Sequence, residues 1–108
     1  MYFIKRVKVE YIMMKMIEQE VHFWELYQDD TRYYFSIAID MSSVVSCWYI
    51  HLDAEEAVFY QQNGRPFLHD FAQEIVHQTY RGDFSFLEQR EVSEQVQKLM
   101  QHAFKAHT

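Results

Sequence analysis

The sequence predicts an α+β protein: an antiparallel meander of three to four strands, with two C-terminal helices packed on one face of it. Three observations carry this expectation. Residues 20–52 fall into aromatic and β-branched runs of the kind a pleated sheet accommodates. The connections between those runs are too short for anything but hairpins. From Pro66 onward the apolar residues switch to a spacing of three and four, the period of a one-sided helix.

The first segment reads as a half-exposed strand, because Val7, Val9 and Tyr11 alternate with Lys8 and Glu10. Met13, Met14 and Met16 raise a second reading, in which translation starts among them and residues 1–16 are not part of the domain. Three strand runs follow, at Glu20 to Gln28, Arg32 to Met41 and Val44 to Leu52. The middle run has a strict period of two, with Tyr33, Phe35, Ile37, Ile39 and Met41 on one face and Tyr34, Ser36, Ala38 and Asp40 on the other. Neither glycine nor proline occurs before Gly64, so the turns must be shaped by Asp29, Asp30 and Thr31, then by Ser42 and Ser43, through side-chain hydrogen bonds to the backbone.

Residues 54–63 admit two readings. Asp53 with Glu56 three positions later suits a helix start and Gly64 its end, while Ala57 to Gln61 also fits a fourth strand turning at Asn63 and Gly64; the helix is favoured slightly. Pro66 to Tyr80 is a helix, with Phe67, Leu68, Phe71, Ala72, Ile75, Val76 and Thr79 on its apolar side, and Gly82 is suited to its stop. A final helix begins somewhere between Ser85, which has Glu88 three residues on, and Ser93, and carries Val92, Val96, Leu99, Met100, Ala103 and Phe104.

With 108 residues, 49% apolar and 24% charged, the chain can bury about two-thirds of its unfolded surface. That suffices for one core, so a single domain spanning 1–108 is expected. No uncharged run is long enough to span a bilayer, no signal-peptide hydrophobic stretch is present, and a cytoplasmic protein is expected. Residues 1–16 hold four basic groups and one acid, a net +3. Against −6 for the whole chain, that leaves −9 for the remainder. An acidic body disfavours nucleic acid and favours solubility or a basic partner.

The absence of glycine before residue 64 removes phosphate-cradling loops and nucleophile elbows from the first half. None of the six histidines forms an i, i+4 pair, and His69 and His77 stand about 12 Å apart along a helix. Glu74 with His77 has the spacing used in bundle di-iron sites but lacks the second such pair, so neither a metal nor another cofactor is expected. Cys47, the single cysteine, reads as a buried inert thiol, and His51, four residues along a strand, lies about 13 Å from it. Arg81, Gly82 and Asp83 spell an adhesion tripeptide that a helix stop explains as well.

What remains is the sheet's second face. Tyr34 and Ala38 point there, joined by either Val45, Cys47, Tyr49 and His51 or the set containing Trp48. Tyrosine and tryptophan beside histidine are what protein interfaces enrich. The leading expectation is therefore a non-catalytic protein-binding domain, an acidic inhibitor or immunity-type protein meeting a basic partner through Tyr34, Trp48, Tyr49, His51, Asp29, Asp30, Glu55 and Glu56. The alternatives are a homo-oligomer formed through the aromatic face, or a small-molecule-binding domain with an aromatic pocket between sheet and helices.

Overall fold

The computed structural model describes residues 13–107. The expected strand at residues 7–11 lies outside that range. Four antiparallel strands form one sheet in sequence order: β1 (Lys15–Glu20), β2 (Trp24–Gln28), β3 (Tyr33–Asp40) and β4 (Val45–His51). Four helices follow: α1 (Ala54–Asn63), α2 (Arg65–Tyr80), α3 (Ser85–Arg90) and α4 (Glu94–His107). The class is α+β, as the sequence patterning indicates.

The expected run Glu20 to Gln28 is divided by a turn. Phe23 N–H donates to the Glu20 carbonyl at 2.9 Å, and His22 takes the left-handed conformation with φ 67°, which histidine tolerates better than most side chains. The fourth strand is thus Lys15–Glu20, whose Met16 pairs with Tyr27. A bulge at Ile17 flips the strand, so Met16 and Glu18 point to opposite faces.

Asp29 shapes the β2–β3 turn as expected, its Oδ1 accepting from the backbone of Thr31 at 2.9 Å and Arg32 at 3.0 Å. At the β3–β4 turn the side chain at work is Asp40, which accepts from Ser42 N–H at 3.0 Å while Ser42 adopts φ 79°.

Residues 54–63 are helical because both halves of a capping box form: Asp53 Oδ1 accepts from Glu56 N–H at 2.8 Å and Glu56 Oε1 from Asp53 N–H at 2.9 Å. Gly64, at φ 71° and ψ −147°, ends α1 and redirects the chain into α2, which carries Pro66 in its first turn.

Leu68, Ala72 and Ile75 of α2 and Leu87 of α3 are buried against Trp24, Leu26, Phe35, Ile37, Ile39 and Ile50 of the sheet. Trp24 stacks on Phe35 and Phe71 meets Phe35 edge-on.

The arrangement departs from the expected one in its last helix. Rather than one final helix beginning at Ser85 or Ser93, both positions start helices, α3 and α4. Between them Glu91 is extended and bridges Ile50, and Val92 N–H donates to the Tyr49 carbonyl at 3.0 Å. This step along the outer edge of β4 carries the chain around the sheet. Met100 and Ala103 of α4, with Val96, then pack on Met16, Tyr27 and Tyr34. The helices therefore cover both faces, because the second face carries its own apolar set, which a one-sided arrangement would leave wet.

Candidate functional site

The sheet's second face is built from alternate residues of three paired strands. Tyr27 sits opposite Tyr34, and Tyr34 opposite His51; Glu25 faces Ser36, and Ser36 faces Tyr49; Ala38 faces Cys47, and Asp40 faces Val45. Of the two sets considered for β4, the one sharing this face is Val45, Cys47, Tyr49 and His51. Trp48 lies on the other side, in register with Ile37 and beside Phe84, with its indole N–H donating to Ser46 Oγ at 2.9 Å.

α4 packs most extensively along β1, so it roofs only part of this face. The part formed by β3 and β4 is left as a half-open groove of about 560 Å³ between the strands and the last turns of α4. Ala38, Cys47, Tyr49 and Tyr27 line its sheet side, Phe104 and Gln101 the helix side, and His22 and Phe23 one end. Cys47, expected to be buried, is exposed here, because its cross-strand neighbour on the face is the small Ala38 and α4 packs mainly along β1, at the far edge of the sheet.

The polar centre of the groove is the Glu25–Ser36–Tyr49 row. Buried Ser36 donates its hydroxyl to Glu25 Oε1. Tyr27, almost wholly enclosed, has its phenol pushed up, first by burial and then by the charge of Glu25, against the opposing effect of Ser36. The Tyr49 hydroxyl oxygen accepts from Gln101 Nε2 at 3.5 Å. Glu25, Ser36 and Cys47 were not among the expected binding residues. The period-two pattern already placed Ser36 and Ala38 on this face, but the sequence could not show that α4 would stop short of them.

The expected site residues separate into two groups. Tyr34 is buried under α4 and donates its hydroxyl to Asp29 Oδ2 at 2.9 Å. Tyr49 is half-buried at the groove. Asp29, Asp30 and His51 share a polar cleft of about 480 Å³ with Asp53 and Ala54, where the β2–β3 turn meets the start of α1. The Asp29 carboxyl is partly desolvated, which raises its pKa, but hydrogen bonds from Thr31, Arg32 and Tyr34 outweigh that and hold it below the usual carboxylate range. Glu56 is occupied by its capping box and by Arg90, whose guanidinium lies 2.7 Å from Glu56 Oε1, 2.8 Å from Asp53 Oδ2 and 3.2 Å from the His51 carbonyl. Asp30 and Glu55 are exposed.

Among the described residues no group of three or more histidine, cysteine or acidic side chains is placed to hold a metal ion, and no helix is long and apolar enough to cross a membrane. No family model, curated protein or solved structure matches this chain.

Proposed function

We propose that this protein is a non-catalytic binding protein whose ligand occupies the groove between α4 and the β3–β4 half of the sheet. The observation that carries this reading is the partial roof. Among the described residues, the second face is covered along β1 and left partly open over Ala38 and Cys47, and the resulting volume falls in the range of small-molecule sites, with mostly apolar walls and a few convergent polar groups. A cytoplasmic location belongs to the same reading, since a reducing compartment suits an exposed single thiol.

The neutral apolar dye N-phenyl-1-naphthylamine tests it. Its fluorescence is expected to rise on mixing with the full chain, and to stay at the free-dye level with Cys47→Trp or Ala38→Phe, both of which fill the groove without touching the core under α2. Absence of enhancement, or enhancement unchanged in both variants, would contradict the reading.

A second reading has a basic protein partner docking at the acidic end of the sheet. It is favoured by the exposure of Asp30 and Glu55, neither of which forms an ion pair among the described residues. Association there would slow steeply with salt, and Asp30→Asn with Glu55→Gln would remove that dependence.

A further inference from the structure

Glu25 poses a question that the fold alone does not answer. Its carboxylate stands half-buried at the centre of the groove with Ser36 donating to Oε1, yet among the described residues no basic side chain forms an ion pair with it. By contrast, the comparably half-buried Glu18 and Glu56 are each paired with an arginine. A carboxylate partly withdrawn from water is costly unless a cation or further donors compensate it. Nothing about the sheet requires an acid there either: Ser36 and Gln19, its cross-strand neighbours, would be served as well by glutamine.

The surroundings are those of a cation site. The aromatic residues Tyr49 and Phe104, both partly exposed, line the same groove, and aromatic faces attract ammonium groups most strongly where water is partly excluded. The hydroxyl oxygens of Ser36 and Tyr49 add acceptors along the row that holds Glu25. Lys105, which has an interaction partner of its own, lines the groove from the exposed last turn of α4.

We propose that the groove binds a small organic cation, an amine carried on an apolar or aromatic body, with its ammonium group against Glu25 and its body along Phe104, Ala38 and Cys47. This rests on the reading of the groove as the binding site. The ligand is a free small molecule rather than a side chain of a partner, because the groove is walled on one side by α4 and its volume suits a compact ligand.

The test compares 2-phenylethylammonium with its neutral analogue 2-phenylethanol, by calorimetry or chemical-shift titration on the full chain. The ammonium form is expected to bind about tenfold more tightly, the scale of a charge-assisted contact in a partly open site. Glu25→Gln, which keeps an acceptor for Ser36 and so preserves the pairing, is expected to abolish that preference, so that 2-phenylethylammonium and 2-phenylethanol bind the variant equally. Equal affinities in the parent chain, or a preference that survives in E25Q, would overturn the proposal. So would tighter binding of a lysine-bearing peptide than of the free amine. If N-phenyl-1-naphthylamine still enters the groove while the preference is missing, only the cation assignment fails; if the dye fails too, the binding site itself is wrong.

Discussion

Truncating Met100 to alanine is the most informative perturbation of the fold, because α4 has few other anchors. Met100 is fully enclosed, and Ala103 is the only other α4 side chain that is buried. An isolated helix of this length is marginal in water, so α4 persists through docking. Removing a fully buried methionine costs about 2–5 kcal/mol, and the loss should fall on α4 rather than on the core beneath α2, which shares no buried residue with the Met100 cluster. At about 1.4 kcal/mol per factor of ten, amide exchange across α4 should accelerate by roughly 30-fold to a few thousand-fold, up to the limit set by global unfolding. Exchange-rate measurement by mass spectrometry reads this directly, with Gln95→Ala on the exposed side of α4 as the control. A loss below about 0.5 kcal/mol, far under the cost of a buried side chain, would refute the packing described here. Acceleration confined to α2 would do the same.

Three other outcomes are expected. The Asp29 carboxyl is lowered in the folded state, so its stabilisation is fully present above its unfolded value of about 3.9 and is lost as pH falls through the folded value; Asp29→Asn should flatten the denaturant midpoint against pH in that acid window and cost about 1 kcal/mol at neutral pH. Arg90→Met should destabilise by about 1–3 kcal/mol, discounted from a fully buried pair because Asp53 remains partly exposed; Arg90→Lys should recover only part of the melting temperature, since one ammonium cannot fork between Asp53 and Glu56. Gly64→Ala should cost about 1–3 kcal/mol in chemical denaturation from backbone strain alone, because an added Cβ would meet nothing within 4 Å.

Local chemistry was the readable part of this sequence. The Asp53–Glu56 pair, Gly64 and Pro66 mark the ends of α1 and the start of α2, because caps act over three or four residues, although Ala57 to Gln61 with a turn at Asn63 and Gly64 fits a fourth strand too, and only the structure shows the helix. The β3 alternation settled both faces of that strand. What escaped was decided over longer distances or by an uncommon backbone. The β1–β2 turn uses a left-handed histidine with no glycine to mark it. The passage of residues 91–92 around the edge of β4 depends on a bridge to Ile50, which neither segment advertises. Without that crossing, the amphipathic residues of α4 fit either face of the sheet, and the groove, Glu25 included, cannot be foreseen.

The placement of α4 is what the groove and its proposed ligand depend on, and nuclear Overhauser contacts from the Met100 methyl group test it most directly. The structure places Met100 in one cluster with Met16, Tyr27 and Tyr34, so contacts to the protons of that cluster are expected and none to Phe35, Leu68 or Phe71. Contacts from that methyl group to Leu68 or Phe71 would put all the helices on one side of the sheet and remove the groove.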